Sequence, residues 1–553
     1  MTARPTAPAV EFDPVSLEIM WSRLIGIADE MWTTVLRTAV STIIDAAQDF
    51  GCEILDERGN SLAHSYRSMP VFNLIMPELT RELIRAFPVE QMRPGDVFTT
   101  NDPWLCAGHL DDIAVITPIF RDGAVVAFAN TVAHTSSIGG ALDGMAVRDL
   151  HEEGLFIPLL RLYDAGKPNE TLFSFIRTNV RQPEMVITDI EAQVTANVVA
   201  EERILALMDE YGLVSLRDVA DAVQSRAEVA MRAAIAAIPD GAYEAEELVE
   251  AAGEPLPLRV KIEVLGDEVI VDYAGSAPQT LGGGINCTFT YTRAHTVYPL
   301  KCLLTPNVPN NEGCFRTIHV RAPERSTLNA LPPASVNSRT KTGWHIHTLL
   351  FRALGDAMPE RAQAGNGLMF TLRGYSRDAD GTPRNAHLIC GGGRGAGYGH
   401  DGVTRNCFPS SAGNVPIEVF ESRLPLIVEE DALEPSSGGA GQWRGAPGQR
   451  VTLRLHPPHD RPVALYVHPD RLRFPAPGIF GGEPSLRNQI ILNGENLAAE
   501  GSMASGEIVL ASPADRLTTV VAGGAGYGPP ADRDPALAAR DRVYGYVEPD
   551  DGG

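Results

Sequence analysis

The feature that most constrains this chain is a pair of apolar runs, Ile113–Phe120 and Ala124–Ala133, separated by Arg121-Asp122-Gly123 and bracketed by Asp112 and His134. Two such runs joined by three residues ending in glycine predict an antiparallel hairpin, with Gly123 in the left-handed position forming a bulge. Pairing Phe120 with Ala124 sets Asp112 opposite Val132 and Leu110 opposite His134. Asp112 and His134 then become diagonal neighbours on one face, roughly 7 Å apart at Cβ. His109 stands at the mouth of the first strand and can swing to the same point. A one-residue slip would send Asp112 and His134 to opposite faces.

Two imidazoles and one carboxylate suit Zn, Mn, Fe or Ni better than Mg or Ca, and three protein ligands leave positions open for water or substrate. The pattern therefore points to a catalytic divalent metal ion held by His109, Asp112 and His134. A lone histidine at a strand end more often satisfies backbone groups; the metal reading rests on the three together. The seven cysteines are scattered and never spaced as CxxC, which excludes a cysteine-ligated zinc site and leaves the metal to His and carboxylates.

Asp102, just before Pro103 and close to the ligands, is the candidate catalytic group: it can accept a proton or fix the tautomer of a ligating imidazole, and the competing role is a turn-forming Asp. Cys106 lies in the same loop without an adjacent general base. His345 and His347 fall in a helical stretch, Gly343–Leu354, where they diverge, and read as structural. His151, Glu152 and Glu153 read as a solvated loop. Asn310, Asn311 and Arg316 are candidates for contact with substrate or a neighbouring subunit. The run Gly391–Gly399 offers backbone N–H groups to an anion, but reads first as a flexible turn or subunit contact.

The expected fold is α+β and multidomain, with a metal-bearing N-terminal α/β domain (13–238), a central mixed region (241–434) and a β-rich C-terminal region (435–530). Asp13-Pro14 opens an amphipathic helix whose apolar stripe runs from Leu17 to Val35, and Phe50–Ala63 alternates around a turn at Asp56–Asn60 as a hairpin. Pro94-Gly95-Asp96 leads into a strand, Val97–Thr100. Helical spacing covers Thr188–Ile238 and stops at Pro239-Asp240-Gly241, after which short strands such as Val260–Tyr273 take over. The tail from Pro529 reads as loosely ordered.

A formal charge of −24 repels phosphate backbones and anionic lipid, so nucleic acid and membrane surfaces are poor partners. No stretch reaches the ~18 consecutive apolar residues a spanning helix needs, and Met1–Glu11 lacks the regions of a signal peptide. The expected compartment is the cytoplasm.

Several ordered motifs resemble the hydantoinase B/oxoprolinase family. They are Asp13–Glu18; Asn101-Asp102-Pro103 followed by Gly108–Asp112; Ala133-His134 followed by Ile138-Gly139-Gly140; Glu153–Pro158; Pro306–Arg316; and Ser437–Gly445. The resemblance implies a B-type subunit of an ATP-dependent cyclic-amide hydrolase, acting on a hydantoin, lactam or oxoproline-like ring. In the family's carboxylase members a metal is held at the positions of His109, Asp112 and His134. The resemblance also implies an A-type partner (hydantoinase A) that binds ATP, hence a hetero-oligomer; this chain has no GxxxxGK[ST] phosphate loop. The alternatives are a subunit of an ATP-dependent ketone carboxylase and a non-catalytic scaffold subunit. The chain departs from the family beside the ligands: Thr135 and Ser137 stand where many members have His and Asp, and Cys106-Ala107-Gly108 where Gly-Gly-Thr is usual.

Overall fold

The structure, a computed structural model, describes residues 12–251, 254–457, 461–498 and 506–548. The expectation about Met1–Glu11 lies outside the described residues. The first helix, Pro14–Thr38, starts where its sequence says: the Asp13 carboxylate accepts from the Ser16 N–H at 2.9 Å, and Pro14 occupies the first turn, where its missing N–H costs nothing. Its stripe, Leu17, Met20, Leu24, Met31 and Val35, is buried against the core.

That core is organised by a seven-stranded antiparallel sheet. Its strands are β1 (Phe50–Asp56), β2 (Ser61–His64), β3 (Val97–Thr100), β4 (Asp112–Arg121), β5 (Ala124–His134), β6 (Leu160–Asp164) and β7 (Lys167–Pro168), in the order β2-β1-β5-β4-β3-β6-β7. Along β4, Ala114 and Ile116 join one apolar cluster while Ile113 and Val115 join another. Both faces are covered, which is why the sequence reads as an unbroken apolar run rather than an alternation.

The β4–β5 hairpin forms with a register different from the expected one. Arg121 pairs with Ala124 and Phe120 with Val125, then a bulge between Ile119 and Phe120 brings Asp112 directly opposite His134. The turn is the two-residue Asp122-Gly123, at φ 50° and 80°, the positive pair that a tight twist-matched hairpin turn requires and that Asp-Gly favours. The turn and the bulge together displace the register by two residues, so the shared face survives.

Helices Pro183–Tyr211 and Arg217–Ile235 are separated at Gly212, whose φ of 62° ends the first. A four-stranded sheet follows, made of β8 (Gly241–Val249), β9 (Leu256–Leu265), β10 (Glu268–Asp272) and β11 (Ile318–Arg321). The single strand expected over Val260–Tyr273 is two, because Gly266 at φ 66° turns the chain. Helices Phe289–Leu304 and His345–Leu354 pack beside this sheet, and the short helix Thr340–Gly343 lies against both of them.

The remaining strands are β12 (Met369–Arg377), β13 (Pro383–Gly391), β14 (Leu426–Glu434), β15 (Gly448–Leu455), β16 (Val463–Tyr466), β17 (Gln489–Leu492), β18 (Glu495–Asn496), β19 (Glu507–Leu510) and β20 (Leu517–Val521). They form two sheets, ordered β13-β12-β16-β19 and β14-β15-β20-β17-β18. The chain is thus mixed helix and sheet and multidomain. Residues 435–447, where the sequence suggests a break, connect neighbouring strands of one sheet.

Two expectations in this half are corrected. The run Gly391–Gly399 is close-packed rather than a flexible turn: a Cβ on Gly392 would lie 2.0 Å from the Leu368 carbonyl oxygen, and one on Gly395 2.0 Å from that of Ala364. Glycine is needed because backbones touch backbones. The described part of the tail, residues 529–548, is docked rather than loose, since helix Pro535–Val543 buries Asp541, which pairs with Arg444 at 3.2 Å, and Arg540 reaches Asp401 at 3.0 Å. Among the described residues no helix is long and apolar enough to cross a membrane.

Candidate metal centre

Three segments deliver the three predicted ligands. Asp112 opens β4 and His134 closes β5, so the bulged hairpin sets them face to face. His109 comes from the loop 101–111, which Asn101 clamps: its amide donates to the Leu110 and Leu155 carbonyls at 2.7 and 2.9 Å and accepts from the Ile157 N–H at 2.6 Å. One ligand atom from each of His109, Asp112 and His134 lies within 4.8 Å of the others, and all three residues are buried.

The donors are arranged around Asp112. His134 Nδ1 is 3.0 Å from Oδ1, and His109 Nδ1 is 3.2 Å from Oδ2. The His109 nitrogen is nevertheless buried without a hydrogen-bond partner. Burial, reinforced by Arg339, holds the His109 pKa well below the ordinary histidine range, so its ring is the neutral form that ligates metals. Burial alone would lower His134 too, but the hydrogen bond and charge of Asp112 raise it. An orphaned imidazole nitrogen, a second imidazole and a carboxylate converging in a buried pocket fit a divalent cation of the Zn, Mn or Fe type, whose charge would satisfy all three.

Arg339 shapes this cluster. Its guanidinium bonds Asp112 Oδ2 at 3.0 Å and the Ala107 carbonyl at 2.6 Å, and lies 4.6 Å from the centre of the Tyr291 ring. Gly108 makes room for it: at φ 83°, a Cβ there would sit 2.9 Å from Arg339 Cδ and 3.0 Å from Tyr291 Cβ. The centre opens into a cavity of about 150 Å³ whose walls include Asp49, Tyr291, His295, Arg373, His387 and His468. Asp49 is half-buried, and the partial loss of water around its carboxylate raises its pKa against the pull of His134.

None of these wall residues is a sequence candidate. They lie on elements remote from the hairpin, and a single Arg or His in an ordinary helix or strand carries no local signal. Asn101, in contrast, belongs to the Asn-Asp-Pro motif that the sequence singles out, although its role is to clamp the loop.

Asp102 is not among the residues lining the cavity. Its carboxylate accepts from the Trp104 N–H at 2.9 Å, so the geometry supports the turn-forming role rather than the expected catalytic one. The Cys106 thiol is buried and burial, with Asp112 nearby, pushes its pKa up, which removes a nucleophilic role. His151 is exposed as expected, but Glu153 is not solvated: it is 2% exposed and accepts from the Val336 and Asn337 N–H groups at 2.5 and 3.0 Å. Asn311 caps a short helix through the Gly313 N–H, and Arg316 bonds Gln224 and Glu228, so both serve the fold. His345 and His347 are structural, bonded to Glu247 and His295 at 2.8 Å each. Thr135 and Ser137 are buried beside the centre.

The family model for hydantoinase B/oxoprolinase matches residues 13–530. The chain is 27% identical to the putative D-/L-hydantoinase B subunit of Pseudomonas sp. (strain NS671), over 97% of this chain and 93% of that protein. Its fold matches the crystal structure of the ATP-dependent caprolactamase from Pseudomonas jessenii with a TM-score of 0.88 at 24% identity, covering 98% of this chain and 95% of that one. It also matches the nucleotide-free structure of acetone carboxylase with a TM-score of 0.82 at 19% identity, covering 97% and 78%.

Proposed function

The chain belongs to the hydantoinase B/oxoprolinase family, and from that premise we propose that it is the metal-binding subunit of an ATP-dependent cyclic-amide hydrolase, opening a hydantoin, lactam or oxoproline-like ring. The observation that carries the reading is the convergence of two imidazoles on the buried Asp112 carboxylate at the wall of a small cavity. His109, Asp112 and His134 would hold the ion. A divalent ion there supplies Lewis acidity, which polarises a carbonyl oxygen and makes water acidic enough to furnish a nucleophile near neutral pH.

The protein's own groups do the rest. Arg339 orients Asp112, the Ala107 carbonyl and Tyr291 orient Arg339, and Asn101 fixes the loop that carries His109. The burial of all three ligands keeps bulk water from the reacting carbon. Phosphorylation of the amide oxygen is assigned to an A-type, ATP-binding partner, in line with the Pseudomonas hydantoinase relative being one subunit of its enzyme. A cytoplasmic setting agrees with seven free cysteines.

The competing chemistry is ATP-dependent carboxylation of a ketone, on a fold that the acetone carboxylase shares. The test is to reconstitute the chain with its partner and supply ATP, a divalent metal and labelled bicarbonate. Ring opening without incorporation of label is expected; stoichiometric label in a β-keto acid would overturn the hydrolase reading. The isolated chain is expected neither to hydrolyse ATP nor to open rings.

A further inference from the structure

Three cationic side chains line the cavity at the metal centre: Arg339, Lys341 and Arg373. Arg339 is committed to Asp112, and Lys341 bonds Asp470 at 3.0 Å and the Pro469 carbonyl at 2.9 Å. The Arg373 side chain makes no hydrogen bond or ion pair with any described residue. It is half-buried in β12, the strand flanked by β13 and β16, and stands directly opposite His387 of β13. Directly opposed residues of an antiparallel pair project to the same face, and both side chains border the cavity and the small void behind His134. His387 is buried, and its imidazole too has no hydrogen-bond partner among the described residues.

A guanidinium that borders a cavity with its N–H donors unpaired is free to take up the oxygens of a ligand. Its planar fork of N–H donors matches the oxygens of a phosphoryl or carboxylate group, and an imidazole N–H adds a further donor. The chain's net charge of −24 makes an uncommitted cation at this cavity more telling.

We propose that Arg373 and His387 form an oxyanion subsite beside the metal centre, which holds the phosphoryl group of the ATP-activated substrate while its carbon faces the ligands. The identity of the phosphorylated molecule rests on the hydrolase reading; the subsite itself does not.

The test is calorimetric titration of the full-length chain, in EDTA so that no ion contributes, with inorganic phosphate and with cyclohexyl phosphate as a stable organic phosphate. Both are expected to bind the wild-type chain, the monoester more tightly. Arg373→Gln should weaken both about tenfold or more, the scale of a lost charge-assisted hydrogen bond, His387→Gln less, and Arg373→Lys should restore part of the loss. Unchanged phosphate binding in Arg373→Gln, or none in the wild type at millimolar concentration, would overturn the subsite. Equal affinity for the two probes would overturn its assignment to a phosphorylated substrate. Because metal is excluded and no turnover is measured, failure here leaves the hydrolase reading standing, and bicarbonate incorporation in the reconstituted complex would leave this result standing.

Discussion

Replacing Arg339 with methionine keeps most of the side chain's reach and removes its charge. The lost contacts are the 3.0 Å pair with Asp112 and the 2.6 Å bond to the Ala107 carbonyl, both buried. Removing one partner of a buried ion pair costs about 3–5 kcal/mol, because the surviving charge loses its compensation. At an unfolding entropy of about 2.1 cal/mol/K per residue, the 553 residues unfolding as one unit carry about 1.2 kcal/mol/K. The thermal midpoint in EDTA is therefore expected to fall by about 2.5–4 °C. A divalent ion beside Asp112 supplies positive charge in place of the guanidinium, so in saturating manganese or zinc the fall should be less than half as large. Scanning calorimetry of wild type and Arg339→Met, each with EDTA and with metal, measures all four midpoints. Equal falls under both conditions would refute the idea that Arg339 and the ion share the Asp112 carboxylate.

His109→Ala and His134→Ala should each lose bound metal while keeping the far-ultraviolet circular dichroism of the wild type, and full occupancy by elemental analysis in both would contradict the ligand assignment. Gly108→Ala should destabilise by about 1–3 kcal/mol, because φ there is 83° and the new Cβ would press on Arg339 Cδ at 2.9 Å; it should also lower metal content. Glu247 is buried, and burial would raise its pKa, but Arg471 and His345 hold it down to about 2 from an ordinary 4.5. A carboxylate depressed in the folded state stabilises above its unfolded pKa and loses that contribution as pH falls from about 4.5 to about 2. The thermal midpoint should accordingly drop over that window, and Glu247→Gln should flatten the drop; an unchanged acid limb in the variant would count against this.

The hairpin that carries the centre is legible in the sequence because it is local. Two apolar runs, a turn and flanking ligands lie within 34 consecutive residues, Asn101 to His134, and period-two geometry links them. The turn is where sequence reasoning fails: the apolar runs imply three linker residues, whereas Asp122-Gly123 forms the loop and a bulge at Ile119/Phe120 absorbs the difference. The two-residue displacement preserves the face, which is why the ligands still converge. Arg339 and Arg373 are not legible, since each reaches the centre only through tertiary packing. Glu153 reads wrongly as solvated because burial in a loop depends on the distant Val336 and Asn337 N–H groups that it accepts from. The glycine run misleads for a related reason: glycine serves both flexible turns and close backbone contact, and only the partner strands distinguish them.

Those backbone contacts bear on the order in which the molecule is completed. Gly392 rests on Leu368, Gly393 on Ala446, and Gly367 on Ala522, so segments far apart in sequence must arrive before any can seat. Residues from Gly391 to Ala522 number roughly 130 and take on the order of ten seconds to synthesise at about 5–20 residues per second. The hairpin with its three ligands leaves the ribosome long before that. Its facing wall, the β12–β13 pair, gains its neighbour β16 and the glycine stack only when the C-terminal strands appear. A chain truncated before β20 would contain every residue of the ligand hairpin but lack the Ala522 carbonyl against which Gly367 packs, so the glycine stack stays unfinished until the last strands arrive.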